Sequence, residues 1–413
     1  MKIVIAPDSF KESLTSLQVA GAIEAGFREV FPDADYVKVP VADGGEGTVQ
    51  AMIDATGGRR VAQTVTGPLG EPLAAFYGQS DGLAVIEMAA ASGLEAVPRE
   101  RRDPLTATSR GTGELIRLAL DAGARRFVLG VGGSATNDGG AGMLQALGVR
   151  LLDGDGRELG PGGAALARLA RIDVAGLDPR VRDAEFHIAC DVRNPLVGPG
   201  GASAIFGPQK GATPEMVVQL DAALRHYAAI IRRDLGQDIA DLPGAGAGGG
   251  IAAAMVVFLG GRLRPGIEIV TEAVGLDAAV RDADLVVTGE GRIDGQTVSG
   301  KTPMGVANVA ARHGKPALAI GGSLAPDADA VHAHGIAAVF AAVARPCTLA
   351  EALAAADVNV RRAARNAAAA LALGMRMGAA GGINAGTHAG THAGAPAAPP
   401  AASAAITPSL QSA

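Results

Sequence analysis

The chain opens on four consecutive apolar residues, Ile3-Val4-Ile5-Ala6, and then on a stretch where Val19, Ala20, Ile23, Phe27 and Val30 recur at helical spacing. The unbroken run predicts a buried strand over 2–7, and the three-to-four-residue rhythm predicts a helix over 17–30. Thr15 and Gln18 make a capping box at the helix start, and Phe31-Pro32-Asp33 ends it. A strand over 36–41 and a helix over 48–55 repeat the alternation, which is how a parallel α/β sheet begins. Between 61 and 88 the pattern changes to three short apolar runs, 61–66, 73–77 and 83–88, separated by Gly-Pro and Asp-Gly turns; these predict a β-meander.

The α/β alternation then resumes with a helix over 114–122, a strand over 127–130, a glycine-rich loop and a helix over 141–147. A polar, glycine-dotted stretch to about 183 separates these from a strand over 185–190. The helix over 214–235 has a clear start, with Thr213 as N-cap and Pro214 in the first turn. The last third predicts strands at 284–288, 317–321 and 337–342, with helices at 305–313 and 349–373. From 378 to 413 the sequence is Gly, Ala, Pro, Thr and Ser with a repeated Thr-His-Ala-Gly, a composition that predicts a disordered, dispensable tail. His388 and His392 in that tail make at most a weak metal site.

Composition narrows the function classes. At 413 residues, two domains with sizeable cores are the default. Lys and Arg total 36 against 42 Asp and Glu, a net charge of −6, so no global basic field favours nucleic acid or a membrane surface. The apolar run 251–259 falls well short of the ~20 residues that span a bilayer. The first residues lack a signal-peptide pattern, and Cys190 and Cys347 stand far apart in sequence; both suit a soluble protein of the reducing cytoplasm.

Four loops follow predicted strand ends, where open α/β sheets bind ligands. Ala6-Pro-Asp-Ser-Phe-Lys-Glu-Ser13 sets Asp8, Ser9 and Lys11 at the mouth of a sheet, or is a turn with solvated charges. Pro40-Val-Ala-Asp-Gly-Gly-Glu-Gly47 turns backbone amides toward a ligand between Asp43 and Glu46, where acids beside a phosphate require an intervening magnesium ion. In the loop after 127–130, Gly132, Gly133, Ser134, Asn137, Asp138 and Gly139 form a cradle suited to oligophosphate, with Asp138 near the metal; a structural glycine turn is the alternative. That loop lacks the GxGxxG spacing of a dinucleotide site, which leaves hydride chemistry as runner-up.

The fourth region joins Cys190-Asp-Val-Arg-Asn194 to Phe206-Gly-Pro-Gln-Lys-Gly211. Asp191 is the candidate acceptor of a substrate hydroxyl proton, with Asp8 its rival and Lys11 beside them in the reaction; Asp191 capping its own turn is the competing reading. Arg193 and Lys210 are placed to hold a substrate carboxylate, with Ser9, Asp43, Glu46 and Arg110 as further substrate contacts. No zinc spacing and no GxSxG elbow occur, so the inventory of glycine amides, cations, acids and a base fits phosphoryl transfer.

A literal GxxxxGK[ST] match lies at 295–302. The apolar strand 284–288 ends well before Gly295, so that glycine cannot make the strand-to-loop turn of a P-loop. A true P-loop, a phosphate loop of another design and a solvated turn all remain open, and Lys301, just ahead of a helix, is a candidate phosphate contact.

Taken together, the loops at 6–13, 40–48 and 132–140, Phe206-Gly-Pro-Gln-Lys-Gly-Ala212 and Thr288-Gly-Glu-Gly-Arg-Ile-Asp294 resemble the bacterial glycerate kinase family, type I, nearly colinearly from 1 to about 377. The resemblance implies a flavodoxin-like parallel-sheet domain made from both chain ends, 1–66 and 284–377, with a second α/β domain, 67–283, inserted. It implies transfer of the ATP γ-phosphate to D-glycerate with Mg2+, giving 2-phosphoglycerate or 3-phosphoglycerate. It further places Gly289, Glu290 and Lys301 with the nucleotide and Asp294 with the metal, and makes the 295–302 match accidental. The tail 378–413 departs from the family, and a homodimer is left open as the assembly. A nucleotide-dependent oxidoreductase, or a non-catalytic binding protein for a small sugar acid, is the alternative function.

Overall fold

The structure is a computed structural model that describes residues 1–45 and 47–379; Glu46 and the low-complexity tail with His388 and His392 lie outside the described residues. Its strands are β1 (Lys2–Pro7), β2 (Asp35–Lys38), β3 (Arg59–Thr66), β4 (Pro72–Ser80), β5 (Leu83–Glu87), β6 (Arg126–Gly130), β7 (Arg150–Leu152), β8 (Arg171–Asp173), β9 (Glu185–Ala189), β10 (Arg262–Arg264), β11 (Leu285–Ile293), β12 (Ala317–Leu324) and β13 (Ile336–Ala341). Residues Met1–Ala370 form one compact unit that holds every one of these strands.

Two larger sheets organise that unit. The first has the order β13-β12-β11-β1-β2 with every neighbouring pair parallel. Numbered within the sheet, this is the flavodoxin-like order 2-1-3-4-5, whose topological switch point falls between β1 and β11. The second has the order β10-β9-β6-β5-β4-β3, parallel from β10 to β5 and antiparallel through the β3–β4–β5 meander. The architecture is therefore two α/β sheets, the first drawn from both ends of the chain. One buried cluster takes in Val4 and Val286 of the first sheet with Val85 and Val128 of the second, so apolar packing joins them. Phe127 and Phe186 stack at 4.7 Å within the larger core of the second sheet.

Local sequence signals account for the helix starts. Thr15 caps the helix Ser16–Arg28 in a full capping box, and Thr213 with Pro214 opens the helix Pro214–Leu235, both as expected. Three expectations are corrected. β11 does not stop at 288 but runs to Ile293, pairing through Gly289 and Arg292 with β12. Its glycines mark close backbone approach rather than a strand end: a Cβ on Gly289 would lie 2.2 Å from the Ile320 carbonyl oxygen. The helix expected over 349–373 is two helices, Leu349–Ala354 and Ala356–Ala379, because Ala355 leaves helical geometry at a point where an alanine-rich stretch carries no break signal. The stretch before 183 contains the antiparallel β7–β8 pair. No helix among the described residues is long and apolar enough to cross a membrane.

Candidate active site

The switch point carries a knot of acids. β1 ends at Pro7, and the backbone N–H of Asp8 donates to the Gly289 carbonyl of β11, which fixes Asp8 just beyond the sheet's carboxyl edge. Its Oδ1 accepts from the Ser9 backbone N–H at 2.6 Å and from the Ser9 hydroxyl at 3.3 Å, while Oδ2 accepts from the Thr302 hydroxyl. Burial, reinforced by the negative charge of Asp43, pushes the Asp8 carboxyl up to about 7. Glu290, one residue past Gly289 and buried, accepts from the Thr297 hydroxyl at 2.6 Å, and its carboxyl is likewise raised, chiefly by burial. Lys301 Nζ stands 3.8 Å from Glu290 and 3.6 Å from Asp294.

The 295–302 segment thus has more of the P-loop context than its sequence suggests, since β11 runs almost into Gly295 and a helix, Thr302–Arg312, starts at the Lys-Thr pair. Its interior differs. The turn Thr297–Ser299 folds back so that Thr297 holds Glu290, and Thr302 is spent on Asp8; the loop wraps its own acids.

The loop after β2 carries this cluster to the second sheet. Gly44, at φ +93°, sits where any Cβ would lie 2.8 Å from Ala189 Cβ at the end of β9 and 2.8 Å from Gly266 Cα, so only glycine lets the loop seat there. Asp43 turns back to accept from the Gly45 N–H at 3.0 Å. A cleft of about 270 Å³ results, with Asp43–Gly45 on one side and, on the other, Gly132, Gly133 and Ser134 after β6 and Cys190, Asp191 and Val192 after β9. The carboxyl ends of both sheets therefore meet at one cavity.

The glycine-rich loop is divided by the fold. Gly132 and Gly133 are exposed to the cleft and Ser134 lines it, but Asn137, Asp138 and Gly139 are buried and do not. Asp138 accepts from the Ser109 N–H and hydroxyl and from the Gly140 and Gly142 N–H groups, so its four donors anchor the start of the helix Ala141–Ala146 and leave no geometry for a metal. Asn137 donates to the Ser203 hydroxyl at 2.9 Å, and a Cβ on Gly139 would lie 2.8 Å from the Tyr227 ring. Lys210, buried but lining the same cleft, donates to the Ser134 hydroxyl at 2.7 Å and to the Thr136 carbonyl at 2.6 Å; burial pulls this amine down to about 7.

The remaining candidates scatter. Asp191 lies exposed on the cleft, accepting from the Gly266 N–H at 3.1 Å, with its carboxyl raised by partial burial and by Asp43. Arg193 is exposed and does not line the cleft. Arg110 pairs with Glu114 at 3.1 Å, and Glu114 in turn holds Thr66 of β3, so Arg110 serves that wall of the second sheet. Lys11 is exposed beside a different groove on the first sheet. Thr302 and Thr297 are the contacts the sequence reading missed; lying inside the GxxxxGK[ST] match, they were open to suspicion only as phosphate ligands.

Among the described residues no three His, Cys, Asp or Glu side chains converge to hold a metal ion. Magnesium is ordinarily held by one or two carboxylates together with substrate phosphates, and Asp43, which lines the cleft, would be such a carboxylate.

Comparison with known proteins identifies the family. The model of the glycerate kinase family matches residues 3–372. The chain is 60% identical to glycerate 2-kinase of Escherichia coli K12, over 89% of this chain and 97% of the relative, and 58% identical to glycerate kinase of Bacillus subtilis 168, over 89% and 96%. A crystal structure from Salmonella typhimurium LT2, described as a glycerate kinase 2, superposes with a TM-score of 0.85 at 60% identity, covering 91% of this chain and 99% of that one. With a family model spanning nearly the whole chain and relatives this similar over almost their full length, the chain belongs to the glycerate kinase family.

Proposed function

We propose that the protein transfers the γ-phosphoryl group of ATP to D-glycerate, releasing ADP and 2-phosphoglycerate. The observation that carries this reading is Asp8, a carboxylate pinned at both oxygens on a switch point and pushed up to about 7 by burial and by the charge of Asp43, which itself lines a cleft whose far wall offers glycine amides. Such a group is half-deprotonated near neutrality and can accept a hydroxyl proton without being a strong base. The 2-position is supported by the name of the Escherichia coli relative at 60% identity.

In the proposed reaction a glycerate hydroxyl oxygen bonds to the γ-phosphorus while the bond from that phosphorus to the β-bridging oxygen breaks, and ADP leaves with the electron pair. The hydroxyl proton passes to Asp8, which Ser9 and Thr302 keep in one orientation. The amides of Gly132 to Ser134 receive phosphoryl oxygens, and Lys210, lining the same wall, holds Ser134 in place. Asp43 would be the residue to hold a magnesium ion beside the nucleotide phosphates, where such an ion would offset the charge that develops on them. Asp191, exposed on the cleft and tied to Gly266, orients substrate rather than taking its proton. ADP release measured with ATP and D-glycerate, against ATP alone, tests the reading; release that does not depend on D-glycerate contradicts it.

A further inference from the structure

The loop that carries Asp8 continues into a second cavity. Phe10 from that loop, Gly291 of β11, Gly322 of β12, Ala342 after β13, and Leu349 and Leu353 of the helix Leu349–Ala354 enclose about 120 Å³ along the carboxyl edge of the first sheet. That is less than the ~150 Å³ of a closed cavity that takes benzene, so a flat ring system would seat here only with its outer edge at the open rim beside Leu349, and a whole nucleotide would not fit.

Its walls match that shape. A Cβ on Gly322 would lie 2.4 Å from the Gly291 carbonyl oxygen, so the two strands present bare backbone as a level floor. Leu349 is 71% exposed at the rim, an apolar side chain with no protein cover. Few polar side chains line it: Lys11, Ser13, Ser323 and Asn359. Asn359 accepts from Arg362 at its Oδ1, and its amide nitrogen has no partner among the described residues. The Ser323 hydroxyl and the Lys11 ammonium are also without partners among them, and both line the groove. A mostly apolar slot with a few hydrogen-bonding groups, and with a cation on the loop that leads to Asp8, suits a nucleobase followed by phosphates.

We propose that this groove is the base subsite of the nucleotide: the adenine ring lies on the Gly291–Gly322 floor against Phe10 and the Leu349–Ala354 helix, with its polar edge toward Asn359 and Ser323. Lys11 meets the phosphates on their way to the Asp8 cleft. D-Glycerate is too small and too polar for such a slot. This inference rests on ATP being the phosphoryl donor.

The chain has no tryptophan, so Leu349→Trp places a single reporter at the rim of the groove. ADP is expected to shift or quench its emission, whereas inorganic triphosphate and D-glycerate leave it unmoved. In a second variant, Ala352→Phe fills the groove from a partly exposed helix position and is expected to raise the Michaelis constant for ATP at least ~10-fold with that for D-glycerate unchanged. A wild-type enzyme that turns over ATP and D-glycerate while the reporter ignores ADP and Ala352→Phe keeps normal ATP affinity overturns the subsite alone. A reporter that responds to protein concentration instead of ADP also overturns it, giving the groove to a second copy of the chain. Failure of the wild type to phosphorylate D-glycerate overturns the reading on which the subsite rests.

Discussion

The hydroxyl of Thr302 donates to Oδ2 of Asp8 at 2.5 Å, joining residues 294 positions apart in sequence. The contact exists because β1 and β11 are neighbours at the switch point, so the loop after one strand meets the helix start after the other. It favours the charged carboxylate, against the burial that disfavours it. Replacing Thr302 with valine keeps the shape and removes the donor. The Asp8 pKa then rises, and the acid limb of the kcat/KM–pH profile moves to higher pH by about one unit, the equivalent of a hydrogen bond of ~1 kcal/mol. A limb that stays in place means that Asp8 does not govern it.

Asp8→Asn separates chemistry from stability. The folded state holds a proton on Asp8 up to about 7, while an unfolded carboxyl releases it near 3.8, so this group's contribution to stability falls as pH rises through that window. The amide removes the loss. Turnover is expected to drop ~100-fold or more, with a melting temperature at pH 8 equal to or above that of the wild type. Asp191→Asn is expected to weaken D-glycerate binding several-fold with kcat far less affected. If Asp191→Asn instead loses turnover and Asp8→Asn retains it, the two roles are exchanged.

The glycine-rich loop yields a paired test. Gly132 has open space where a Cβ would point, so Gly132→Ala is expected to melt normally while raising the Michaelis constant for ATP. Gly139 stands at φ +61° against Tyr227, so Gly139→Ala is expected to cost more than ~1 kcal/mol of stability. Thermal unfolding beside steady-state kinetics reads both, and equal stability losses contradict the division of the loop.

Lys210 is held down at about 7 by burial, against 10.5 for an unfolded lysine. The folded state therefore binds fewer protons across that window, and this group makes stability rise with pH from about 7 toward 10.5. Lys210→Met is expected to flatten the dependence of the urea midpoint on pH between 7 and 9. An unchanged slope means that the amine stays charged in the fold.

Local signals in the sequence gave up the meander, the two helix caps and the strand-end loops, because each depends on residues within a few positions of one another. Residues 137–139 were misread as part of the phosphate cradle: a glycine that packs on Tyr227 looks the same in sequence as one that approaches a ligand, and Tyr227 is far along the chain. β11 was cut short because its glycines were read without their partner strand, β12. The pairing of Asp8 with Thr302 depends on strand order, which no local pattern specifies. Arg110 reads as an anion contact from its place just before a helix; that its ion-pair partner Glu114 is itself committed to Thr66 is again a long-range fact.

The most direct measurement is a phosphorus NMR spectrum of the product formed from ATP and D-glycerate with magnesium present. Transfer to the 2-hydroxyl leaves the phosphorus next to a carbon bearing a single hydrogen, and a new phosphomonoester doublet is the expected result. A triplet, from a phosphate on the CH₂ carbon, contradicts the 2-position, and ADP production with no new phosphomonoester contradicts phosphoryl transfer to D-glycerate altogether.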